Sequence, residues 1–124
     1  MRPKINFITL AAENLEKSIA FYKNAFQLSI SDKNENLCLF EMEDDFYLVL
    51  SQKEDFAKQV NDFKGSSGFI LSNSVASKKE MEQVVSKAEK FGAKRVKELN
   101  EEWGDSITIM DLDGHHWEIV YTKD

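Results

Sequence analysis

The order strand–helix–three strands occurs twice in this chain, once before about residue 52 and once after about residue 67. That doubled order constrains the fold strongly, because each helix has an apolar stripe to bury and the nearest sheet is the one its own strands form. In the first half, residues 5–10 are β-branched and aromatic and predict a strand. Residues 13–26 predict a helix in which Leu15, Ile19, Tyr22 and Phe26 recur on one face, with Glu16, Lys17, Lys23 and Asn24 mostly opposite. Residues 28–32, 36–42 and 46–51 predict three strands, separated by the charged turns Lys33-Asn34-Glu35 and Glu43-Asp44-Asp45. The second half repeats the order with a strand at 68–72 and a helix opened by Ser77-Lys78-Lys79-Glu80, the S-x-x-E form of a capping box. Met81, Val84, Val85, Ala88 and Phe91 make that helix's apolar face, and Gly92 supplies a left-handed stop. Strands at 93–97, 106–110 and 115–121 complete the second set, with an acidic loop at 98–102.

The last two strands flank Asp113-Gly114, which predicts a two-residue hairpin turn of the primed type, since that turn needs positive φ at its centre. In the final strand Trp117, Ile119 and Tyr121 point one way, and His116, Glu118 and Val120 the other. An acid and an imidazole thus share one face of an otherwise apolar strand. The nearly continuous apolar runs at 37–40 and 46–50 predict strands covered on both faces or facing a cavity, with the helices outside.

Residues 52–64 carry Phe56, Val60 and Phe63 at helical spacing and predict a short amphipathic helix or ordered linker. Gly65-Ser66-Ser67-Gly68 follows. It lacks the spacing and the following helix of a phosphate-binding loop and reads as a linker. The expected organisation is one α+β domain over 1–124: a βαβββ module at about 1–52, a linker at about 53–66 and a second module at about 67–124, each contributing a curved, antiparallel-rich sheet.

Charge narrows the partners. Sixteen basic against twenty-two acidic residues give a formal charge of −6 with no basic tract, which disfavours nucleic acid and anionic membrane surfaces. The one cysteine, Cys38, has no intrachain partner and reads as a buried packing thiol in a reducing compartment. No apolar stretch approaches the roughly 20 residues of a membrane span, and no leader pattern opens the chain. The expectation is a soluble cytoplasmic domain.

Asn14-Leu15-Glu16-Lys17-Ser18-Ile19-Ala20-Phe21-Tyr22 is similar to the D-L-x-x-S-x-x-F-Y opening of the vicinal oxygen chelate superfamily. Trp103-Gly104, followed by Asp111-Leu112-Asp113-Gly114-His115-His116-Trp117-Glu118, resembles that superfamily's closing W-G … D-P-D-G-x-x-x-E. The superfamily comprises glyoxalases, extradiol dioxygenases, fosfomycin-modifying enzymes and bleomycin-binding resistance proteins, so the resemblance implies a fold and not one activity. It also implies a homodimer.

Metal enzymes of that superfamily take ligands from the first, fourth, fifth and eighth strands: a His, Gln or Glu, then a Glu or His, a His, and a Glu. Carried over, these positions fall on Phe7, Val49, Phe69 and Glu118. The neighbouring residues Asn6 and Thr9 on the first strand, and Ser67 and Ser72 on the fifth, restore no three-ligand set. One carboxylate among apolar side chains is not a divalent metal site. No cofactor is therefore expected. A cavity lined by Phe7, Val49 and Phe69, with Glu118, His116, Thr9 and Tyr47 as its polar groups and Trp103 at its rim, instead fits a small-molecule site. His116 is the nearest group that could compensate the Glu118 charge.

Three functions remain open on these residues. The first is a metal-free small-molecule binding protein anchored by Glu118. The second is a metal-dependent lyase, isomerase or dioxygenase with a non-standard site. The third is a degenerate interaction or regulatory module.

Overall fold

Asn14 and Ser77 sit in extended backbone, and each side chain accepts a hydrogen bond from the amide three residues on, Lys17 and Glu80 respectively, at 3.0 Å. These two caps start the two long helices and set the frame of a doubled fold. The computed structural model describes residues 1–60, 64 and 68–123 and separates into two units, Met1–Ser66 and Ser67–Asp124.

The first unit runs β1 (Phe7–Ala12), α1 (Leu15–Ala25), β2 (Ser29–Lys33), β3 (Leu37–Glu41), β4 (Tyr47–Gln52) and α2 (Lys53–Phe56). Its sheet has the order β1-β4-β3-β2, with β1 parallel to β4 and the other pairs antiparallel. The second unit runs β5 (Leu71–Ser74), α3 (Lys78–Lys90), β6 (Lys94–Glu101), β7 (Gly104–Met110) and β8 (His116–Thr122). Its order, β5-β8-β7-β6 with β5 parallel to β8, repeats the first. Both sheets are mixed, and the fold is α+β, as the doubled sequence order predicts.

In the first unit α1 packs on β4, burying Leu15, Ile19, Phe21 and Tyr22 with Leu10, Cys38, Phe40, Leu48 and Leu50. Tyr22 lies edge-on to Phe21 and Phe26, and its ring centroid is 6.1 Å from that of Phe40. Each fully buried large side chain contributes about 1.5–3 kcal/mol relative to exposure. The N-terminus of α1 is tied to the sheet by one residue: Gln52 Oε1 accepts from the Leu15 amide at 3.0 Å while its Nε2 donates to the Glu13 carbonyl at 2.8 Å. In the second unit α3 crosses β6, β7 and β8, burying Met81, Val85 and Ala88 with Ile107, Ile109, Trp117 and Ile119. Arg95 on β6 joins Glu82 and Glu89 of α3 and Glu98 of its own strand, at 3.4, 3.0 and 2.9 Å.

Several local expectations change. Helix formation between the modules stops after four residues, α2: Phe56 is half-buried, Val60 is exposed, and Phe63 lies outside the described residues together with Gly65, Ser66 and Ser67. No side chain caps α2, and so short a helix has little intrinsic stability. Phe91 is exposed, because it is the C-cap of α3 and the helical angle ends before it. The strand expected at 68–72 is β5, three residues later at its start. β6 continues through the expected acidic loop, since residues 97–101 pair with β7 down to Gly104. Its charged residues suit an edge strand, where they discourage further pairing.

The Asp113-Gly114 turn is not a two-residue primed turn: only Gly114 has positive φ, +84°, and residues 111–115 separate Met110 from its partner His116. The Asp111 carboxylate reorganises the loop. Its Oδ1 accepts from the amides of Asp113 at 2.9 Å and His115 at 2.8 Å. Those bonds favour an Asx-type turn that ends on a left-handed glycine. Two successive positive-φ residues appear instead between β3 and β4, where Asp44 and Asp45 have φ of 61° and 58°.

Candidate functional site

Residues paired directly across a sheet share one of its faces. On the first sheet Phe7 pairs with Tyr47, and Thr9 with Val49, which places these four expected site residues on one face. Phe7 and Tyr47 stack with centroids 5.7 Å apart and 24° between planes. Phe7 is 55% exposed and Val49 only 7%. This face is apolar at both positions where the superfamily's metal enzymes carry ligands.

On the second sheet Glu118 pairs with Ser72 of β5 on one side and Thr108 of β7 on the other. Beyond Thr108 the same row reaches Lys97 of β6. Glu118 is half-buried, and Ser72 Oγ donates to its Oε1 at 2.8 Å. His116, two residues earlier on β8, is half-buried and pairs with Met110. The group that answers the Glu118 carboxylate is thus Ser72 rather than His116. Trp117 and Ile119, on the opposite face, are buried under α3 as the strand alternation predicts. Trp103 lies in the turn between β6 and β7 and is exposed.

Phe69 lies outside β5 and is 45% exposed. The two helix caps allow a sharper comparison of the halves. Phe7 and Thr9 precede the Asn14 cap by the same steps as Ile70 and Ser72 precede Ser77. Thr9 pairs with Val49 as Ser72 pairs with Glu118. Ile70, two residues before Ser72 and so in phase with it, is the counterpart of Phe7; Phe69 is out of phase. The apolar character of that position is unchanged by the correction. Counting back from the S-x-x-E cap is the signal that finds it.

These residues do not fit a divalent metal at the superfamily's usual position. Phe7, Val49 and Ile70 offer no ligand atom, and Glu118 is engaged by a neutral hydroxyl. Among the described residues, one group of three His, Cys, Asp or Glu side chains brings its ligand-type atoms within 4.8 Å of one another, and it is Asp111, Asp113 and His115 in the β7–β8 turn. Asp111 and His115 there are buried, and Asp111 Oδ1 is already committed to two backbone amides. The group's visible work is to hold the turn.

Comparison with solved structures agrees with the doubled architecture. A glyoxalase-related enzyme from Fulvimarina pelagi superposes with a TM-score of 0.88 at 21% identity, over 97% of this chain and 88% of that one. A glyoxalase/bleomycin resistance protein/dioxygenase family enzyme from Burkholderia phytofirmans gives 0.82 at 17% identity, over 95% and 98%. The fosfomycin resistance protein FosX from Listeria monocytogenes gives 0.77 at 18%, over 99% and 96%. At these identities the likeness is one of fold. The family model described as glyoxalase/bleomycin resistance protein/dioxygenase superfamily matches residues 4–119. With both sequence motifs, both modules and their strand order in agreement, the chain belongs to the glyoxalase/bleomycin resistance protein/dioxygenase superfamily.

Proposed function

We propose that this protein binds a small molecule without a metal, with Glu118 as the polar anchor of an otherwise apolar site and a cationic group on the ligand as its counterpart. The observation that carries this reading is the Ser72 hydroxyl that donates to the Glu118 carboxylate at 2.8 Å. The other three ligand positions of the superfamily are apolar. An ionised carboxylate on a half-buried sheet face gains most from a partner that brings positive charge and hydrogen-bond donors. His116 and Thr108, beside it on the same face, can contribute further polar contacts. Ile70, in phase with Ser72 and exposed, supplies apolar surface on the same side. We extend the proposal to a homodimer, as the superfamily resemblance implies, in the reducing cytoplasm that the lone thiol Cys38 suits.

Three measurements test it. Elemental analysis of untagged protein, before and after incubation with nickel, zinc, iron and manganese, is expected to show no stoichiometric metal. A thermal-shift screen is expected to find cationic compounds that raise the melting temperature of the native chain and do so less for Glu118→Ala. A metal bound at one equivalent overturns the metal-free reading. Stabilising compounds indifferent to Glu118 overturn the anchor. Light scattering of the same preparation reads the oligomeric state, and a monomer at micromolar concentration overturns the dimer.

A further inference from the structure

The geometry points to Ser72 as a positioning residue that turns Glu118 into a one-point acceptor, selecting ligands with an alkylammonium-type donor over those with a two-pronged guanidinium. This inference rests on the Glu118-anchored reading and specifies its ligand class. Ser72 and Glu118 are 46 residues apart, yet the parallel β5–β8 register sets them side by side, and the hydroxyl donates to Oε1 at 2.8 Å. That bond engages one of the two carboxylate oxygens and ties it to β5. Among the described residues Ser72 is the partner of Glu118, so Oε2 is the oxygen left for an approaching donor.

The two cation types use a carboxylate differently. A guanidinium pairs best as a fork, with two parallel N–H bonds to both oxygens in one plane. Here such a fork must share Oε1 with the Ser72 hydroxyl. An ammonium is a compact point charge with three rotatable donors, and one open oxygen satisfies it. Thr108, on the other side of Glu118 in the same row, flanks the carboxylate with a second hydroxyl-bearing side chain. The row therefore favours a single donor descending on Oε2.

The test is a pair of NMR titrations of the full chain with n-butylammonium and n-butylguanidinium chloride. The wild type is expected to prefer butylammonium, with both probes weakened by Glu118→Gln. Ser72→Ala is expected to move the affinity ratio toward butylguanidinium by about fivefold, the scale of one partly exposed charge-assisted bond. Ser72→Thr, which keeps the hydroxyl, is expected to hold the wild-type ratio. Amide spectra of each variant confirm the fold. If both probes still depend on Glu118 and the ratio does not move in Ser72→Ala, the positioning role is overturned while the anchor stands. If neither probe responds to Glu118→Gln, the anchor itself fails for cations and the inference falls with it.

Discussion

A Cβ placed on Gly104 would overlap the carbonyl oxygen of Tyr121 on the neighbouring strand. Gly104 begins β7 opposite Thr122 with φ of +156°, and the Trp103 carbonyl before it accepts from the Lys123 amide at 2.8 Å. The Trp-Gly pair of the closing motif thus has a backbone reason: the β7–β8 ladder closes too tightly for any side chain. Gly104→Ala is expected to cost about 2–4 kcal/mol in urea unfolding, combining left-handed strain with a backbone clash. Gly114→Ala, at φ +84° with open space around it, is expected to cost only about 1–2 kcal/mol. Equal losses at the two positions would show that the clash with Tyr121 is relieved by strand movement.

Gln27 follows the C-cap of α1 with φ of 58°, the conformation that helix ends usually give to glycine. The amides of Phe26 and Leu28 both donate to the Tyr22 carbonyl at 3.3 Å, so this turn closes the helix as it stands. Gln27→Gly removes the left-handed penalty but loosens the unfolded chain, for a net gain of about 0.5–1 kcal/mol. Thermal melts should show a small rise in midpoint. A fall would mean that the glutamine side chain contributes more than its backbone costs.

Asp111 is buried and its Oδ1 carries two amide bonds in the β7–β8 turn. Asp111→Ala leaves those donors without that acceptor and is expected to cost about 2–3 kcal/mol. Asp111→Asn preserves an oxygen at the same place and is expected to cost roughly half as much. Denaturant midpoints of the pair read the difference, and equal losses would assign the residue's importance to its charge.

Cys38 is buried in β3, and burial pushes its thiol above the usual range while Lys33 draws it the other way. Native and unfolded chains both keep the proton below the free-thiol pKa of about 8.5. Above it the unfolded chain ionises first, so the raised native pKa makes stability fall as pH climbs through this window. The stability advantage of wild type over Cys38→Ala should therefore shrink between pH 8 and pH 10. An advantage constant with pH would show that the thiol titrates alike in both states.

The helices, the Ser77 cap and the doubled strand order were legible in the chain because they rest on neighbours a few residues apart. Ser77 caps by bonding the amide three residues on, and the apolar faces of α1 and α3 repeat within a turn. The β7–β8 turn was legible as a turn but not in its form, because the Asp111 carboxylate outweighs the Asp-Gly signal. At the candidate site, Glu118 and its strand face were readable from alternation. Its partner was not. His116 is near in sequence, whereas Ser72 is near only through the β5–β8 ladder.

The sequence by itself determined the superfamily and the two βαβββ modules, since motif spacing and residue type decide both. Only the tertiary structure decided that Ser72 holds Glu118 and that Gly104 lies against Tyr121. The physical reason is register. A slip of one residue turns every side chain of a strand to the other face, and that choice is made by strands far apart in the chain pairing with one another.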